Sequence, residues 1–153
     1  MDFTSMEKYN GDMILINRLA EFFPSESWSW NKGEVVELND ISLAIHEAQL
    51  EESSPFGDTW KHLCMENKST EWHIGRIIYF INHPEEIKDI EIDNICVDNY
   101  ILPAPTIIDG NHRFMAAMWL NYKGKMDKVH CMYGGRIDVL DYLTGKSNEI
   151  PDE

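Results

Sequence analysis

The apolar positions of this chain switch between two periods, and each switch marks an element. Ile16, Leu19, Ala20 and Phe23 recur at i, i+3, i+4, i+7, which predicts an amphipathic helix over 13–23 stopped by Pro24. Ile41, Ala44, Ile45 and Ala48 share one face of a second helix over 41–51, with Asp40 as its N-cap. Ile74, Ile77, Ile78 and Ile81 draw a stripe along a third helix, from about Ser69 to Asn82, closed by Pro84. Ile90, Ile92 and Ile95 alternate as a short strand, and a loop through Pro103 and Pro105 leads into the β-branched run Thr106-Ile107-Ile108. Asp109-Gly110 breaks that run, after which Phe114, Ala117 and Met118, with Ala116 and Leu120, return to helical spacing. Val129, Cys131 and Tyr133 alternate with Lys128, His130 and Met132 as a half-exposed strand, and Ile137 to Leu143 is a last short helix capped by Gly145. This order predicts an α+β fold, a small mixed β-sheet with flanking helices behind a helical N-terminal segment. Ser53-Ser54-Pro55-Phe56-Gly57-Asp58 divides the acidic helical segment, 1–60, from the core, 61–153, the two packing as one compact domain.

Composition narrows the partners. A chain of 153 residues has the usual size of one domain and can bury a genuine core. No apolar run approaches the ~18 residues of a membrane span, and Met1-Asp2-Phe3-Thr4 lacks the basic flank of a signal peptide. Cys64, Cys96 and Cys131 are odd in number and widely spaced, which predicts reduced thiols packed as small hydrophobes in a cytoplasmic protein. With 27 acidic against 13 basic residues and a net charge of −14, direct nucleic-acid binding is not expected. The longest basic cluster is Lys123-Gly-Lys125-Met-Asp-Lys128. The acid is unevenly spread: residues 1–60 carry −9 and residues 61–153 carry −5. Trp28 and Trp30 lie in a turn-rich loop of the acidic half, as core anchors, a partner-facing hot spot or a base-stacking surface, and the acidic face itself suits a basic protein partner. His62, Cys64 and His73 lack the spacing of a zinc motif.

The chemistry concentrates in 105–120, where a strand turns through Asp109-Gly110-Asn111-His112-Arg113 into an Ala-rich helix. Cations at a helix N-terminus are ordinarily disfavoured by the macrodipole. Two of them there make sense when an anion sits between their side chains and the free first-turn amides. His73 and Arg76 lie at i, i+3 on the third helix, offset from its isoleucine stripe, as either a second anion clamp or a solvated face.

This stretch resembles the nucleotide-binding loop of the ParB/sulfiredoxin superfamily, through Asp109, Gly110, Asn111, His112 and Arg113 followed by Ala116 and Ala117. Two weaker parts of the resemblance are Trp72-His73-x-x-Arg76-Ile77 with Tyr79-Phe80, and Gly134-Gly135-Arg136 followed by Asp138-Val139-Leu140 and Leu143-Thr144-Gly145. The resemblance implies a ParB-like core whose loop holds the phosphates of ATP or another nucleoside di- or triphosphate. Gly110, Asn111, His112 and Arg113, with His73 and Arg76, would be the binding residues. Arg113 would grip phosphate oxygens in charge-assisted pairs, and His112 would add a donor whose protonation responds to the ligand. Asp109 would cap the helix or hold Mg²⁺ through water, which makes Asp109 and His112 the candidate catalytic groups of an NTPase or phosphotransferase. A base is not identifiable: Asp93, Asp98 and Glu71 all remain open.

Departures from the family limit the carry-over. Asn111 stands where sulfiredoxins need cysteine, so sulfinic-acid reduction is not expected. About 30 residues follow the loop helix, too few for the helix-turn-helix and dimerisation modules of chromosome-partition relatives. Two rival readings stand beside nucleotide binding. One is an acidic interaction or inhibitor module of the kind a phage or mobile element carries, without turnover. The other is a small-molecule kinase acting on a free amino acid, since the superfamily includes free-serine kinases.

Overall fold

The computed structural model describes residues 10–23, 35–53, 69–98 and 100–151. The expectations for Trp28 and Trp30, for the break over 54–58, and for His62 and Cys64 lie outside these residues.

Among the described residues, five helices and four strands follow in the order β1 (Asn10–Leu15), α1 (Ile16–Ala20), α2 (Leu38–His46), α3 (Thr70–Asn82), β2 (Ile90–Val97), β3 (Tyr100–Asp109), α4 (Asn111–Tyr122), β4 (Lys128–Tyr133) and α5 (Ile137–Thr144), with a 3-10 turn at Pro84–Glu86. The strands form one mixed sheet in the order β1-β4-β2-β3. β4 pairs antiparallel with β1 and parallel with β2, and β2 pairs antiparallel with β3. The protein is α+β, with helices beside a small mixed sheet. No helix among the described residues is long and apolar enough to cross a membrane.

α4 lies at the centre of the packing. Phe114, Met115, Ala116, Ala117, Trp119 and Leu120 are all buried, which exceeds the single stripe of a surface helix. They meet α1, α2, α3 and the sheet in one apolar core that also takes in Ile14, Ile16, Leu19, Phe23 and Ile41 from the N-terminal part of the chain. The alternation in β4 holds: Val129, Cys131 and Tyr133 face this core. Burial pushes the Cys131 thiol up to about 12, so it packs as an unreactive small hydrophobe. α3 keeps its expected bounds because Ser69 Oγ accepts from Trp72 N at 3.1 Å, a side-chain N-cap. α5 ends at Gly145, whose φ of 89° is the left-handed cap read from the sequence.

Three local expectations are corrected. Residues 13–15 are strand rather than helix, and the helix is confined to Ile16–Ala20, so the N-terminal segment opens on β1. Pairing of Ile14 with Val129 and Met13 with His130 gives β4 its second neighbour, and this tertiary pairing outweighs local periodicity. Asp40 is not the N-cap of α2 but its third residue. The helix starts after Glu37, whose backbone N–H donates to Asp40 Oδ2 at 2.9 Å, so the carboxylate caps from inside. Pro103 and Pro105 belong to the ten-residue β3 rather than to a loop. β3 is an edge strand, where a missing N–H leaves no ladder bond unmade on the open side.

Gly135 is a packing requirement at the end of β4. Asn94 is buried; its Oδ1 accepts from Tyr133 O–H and from Arg136 N, and its Nδ2 donates to Leu102 O at 2.7 Å. Arg136 in turn pairs with Asp138 at 2.6 Å at the start of α5. A Cβ on Gly135 would fall 1.7 Å from Asn94 Oδ1 and 2.5 Å from Tyr133 Oη. Gly135→Ala is therefore expected to cost about 3 kcal/mol, from overpacking and from buried polar atoms forced apart. Urea unfolding monitored by circular dichroism measures it; a loss below about 0.5 kcal/mol, the range of an ordinary surface change, would contradict this packing.

Candidate functional site

The expected strand–turn–helix is present at Asp109–Arg113. Gly110 has φ 109° and ψ 26°, in the left-handed region, and hands β3 directly into α4. A side chain there would also meet Ile90 and the Arg113 guanidinium at 3.2 Å. The helix ladder starts with Phe114 N donating to Gly110 O at 2.8 Å. The amides of Asn111, His112 and Arg113 therefore have no carbonyl within the helix to bond. Asn111 Oδ1 is buried without a hydrogen-bond partner among the described residues.

His112 turns from this first turn onto α3. Its Nε2 lies 2.8 Å from Nδ1 of His73, with the two rings stacked at 5.1 Å and 23°. Trp72 stands edge-on to both rings, at 5.1 Å from His73 and 5.7 Å from His112. Burial first, then His73, Arg76 and Arg113, lower the His112 imidazole to about 3. The ring is therefore neutral at ordinary pH and offers one donor and one acceptor, not two donors. One ring of the pair donates across the 2.8 Å contact and the other accepts.

The arginines are held by backbone oxygens. Arg113 Nη1 donates to Lys88 O at 2.7 Å and, at greater length, to Asp89 O at 3.4 Å. Its Nη2 reaches Asp109 Oδ2 at 3.2 Å, so Asp109 is partnered with the cation one helical turn away. Arg76 is buried; its Nη1 donates to Glu52 O at 2.8 Å while the guanidinium lies 4.9 Å from the Tyr79 and Phe80 rings. Burial lowers the Arg76 pKa, opposed by Tyr79, Glu52 and Glu86.

Of the sequence-derived site residues, the fold brings His73 onto His112 directly and sets Arg76 and Arg113 within electrostatic reach of that pair. Asp109 stays exposed at the end of β3. Among the described residues, the only cluster of three His, Cys or carboxylate groups with ligand atoms near one another is His83, Glu85 and Glu86, which excludes Asp109. The carbonyls of Glu52, Lys88 and Asp89 were missed by sequence reading, since a backbone oxygen carries no residue signature. Trp72 was legible only as part of the resemblance. No family model, curated protein or solved structure matches the chain.

Proposed function

We propose that this chain binds the phosphates of a nucleoside di- or triphosphate, such as ATP, at the Gly110–Arg113 turn, as a ParB/sulfiredoxin-like protein would. The observation that carries this reading is the left-handed Gly110, which opens the first-turn amides of α4 beside the Arg113 guanidinium, with Arg76 in electrostatic reach of His112. Helix N-termini and arginines together suit phosphate oxygens. On binding, Arg113 would exchange its Asp109 contact for a phosphate oxygen, leaving Asp109 able to hold Mg²⁺ through water. Neutral His112 contributes a single hydrogen bond rather than a charge. Hydrolysis or transfer further requires a base, and Asp93, Asp98 and Glu71 are the carboxylates to test for that role.

A melting screen against ATP, ADP, CTP and GTP, each with and without Mg²⁺, tests the reading. A ligand at a hundred times its Kd stabilises by about 2.7 kcal/mol, or roughly 5–10 °C in a domain of this size. Arg113→Ala is expected to abolish that shift, whatever its effect on the unliganded melting point. Asp109→Ala should remove only the part that depends on Mg²⁺. Flat curves in all four nucleotides overturn the proposal, and a shift unchanged in Arg113→Ala moves the site elsewhere. Binding without phosphate release under any metal leaves a binding protein rather than an enzyme.

A further inference from the structure

A concavity of about 510 Å³ opens at the end of α4 away from Gly110, between α2, α3 and the turn that follows α4. Its walls include Ile45, Ile81, Leu120 and Met126, and Trp119 closes one side with its indole N–H donating to Ser42 Oγ at 2.9 Å. A solvent-open, mainly apolar groove of this size falls within the range of small-ligand sites. Met126 is anchored through its carbonyl, which accepts from Asn121 Nδ2 at 2.9 Å, while its flexible thioether can adapt to an occupant.

Charge at the rim selects the occupant. Among the described residues, Lys125 is the only charged side chain lining the concavity. The other lining polar groups are amides: Gln49 Nε2 donates to Glu71 O at 2.9 Å and Asn82 Nδ2 to Glu51 Oε1 at 3.3 Å. Lys123 adds a second ammonium 5.3 Å from the Trp119 ring. Two lysines of the longest basic cluster of the sequence, Lys125 on the lining and Lys123 against Trp119, thus stand beside this hollow.

We propose that this groove binds a small amphipathic anion, a medium-chain carboxylate, with its alkyl chain against Ile45, Ile81, Leu120 and Met126 and its head on Lys125. The site is separate from the Gly110–Arg113 turn and does not depend on the nucleotide reading. Isothermal titration of the full chain with decanoate, and with decyltrimethylammonium as the cationic counterpart, both below micelle formation, tests it. Decanoate is expected to bind one per chain and at least tenfold more tightly than the cation. Lys125→Glu, at an exposed position, is expected to reverse that order. Ile45→Trp, which fills the groove from the partly exposed face of α2, is expected to weaken decanoate at least tenfold, while Arg113→Ala leaves it unchanged. Absence of decanoate binding, equal binding of the two head groups, several molecules per chain, or indifference to both groove variants would each overturn the assignment. If Ile45→Trp does not fold, the reversal in Lys125→Glu decides alone.

Discussion

Phe114→Ala is expected to lower the free energy of unfolding by about 3–5 kcal/mol. Phe114 has no exposed surface, and its ring meets Phe23 edge to face at a centroid distance of 5.9 Å. It sits at the start of α4, the helix around which α1, α2, α3 and the sheet assemble. Truncation there removes the transfer energy of the ring and leaves a cavity that surrounding elements, fixed on several sides, cannot close. Domains have only about 5–15 kcal/mol to lose, so the variant should unfold at markedly lower urea with an unchanged slope. Tyr122→Ala, at the exposed end of the same helix, should change stability by less than about 0.5 kcal/mol. If the two variants behave alike, α4 is not the centre of the core.

Acid should weaken the fold through His112. Its imidazole is lowered from 6.5 to about 3 in the folded chain, chiefly by burial and then by His73, Arg76 and Arg113. Between these two values the unfolded chain binds a proton that the folded chain refuses, so stability falls as pH drops through this window. From pH 7 to pH 5 the loss attributable to His112 is about 2 kcal/mol. Protonating carboxylates in a chain of net charge −14 relieves repulsion and acts in the opposite direction. The decisive quantity is therefore the difference between the native chain and His112→Gln. Glutamine keeps a hydrogen-bonding side chain but does not titrate, so its stability should be flatter with pH even where its baseline is lower. Parallel pH profiles for the two proteins would place the acid sensitivity on other groups.

Local chemistry was sufficient for much of the scaffold. Ser69 and the isoleucine stripe defined α3, the alternation of Val129, Cys131 and Tyr133 defined β4, and Gly145 ended α5. The Asp109–Arg113 turn was legible because a left-handed glycine between a β-branched run and an Ala-rich helix satisfies two local rules at once. The i, i+3 spacing placed His73 and Arg76 on one face of α3. It did not say that His73 would meet His112 while Arg76 turned to the carbonyl of Glu52.

Those outcomes depended on partners distant in the chain. β1 exists because β4 needs a second neighbour, and β3 absorbs two prolines because it lies at the sheet edge. Arg113 is held by Lys88 O and Arg76 by Glu52 O, and no side-chain pattern marks a carbonyl as an acceptor. The sequence by itself determined helices, turns and the alternating strand, since capping, glycine conformation and apolar period act within a few residues. Only the tertiary structure decided the sheet order, the pairing of β1, the neutral His112 beside His73 and the hollow behind Lys125. Burial and strand pairing are properties of the assembled chain, and they outweigh local preference wherever the two compete.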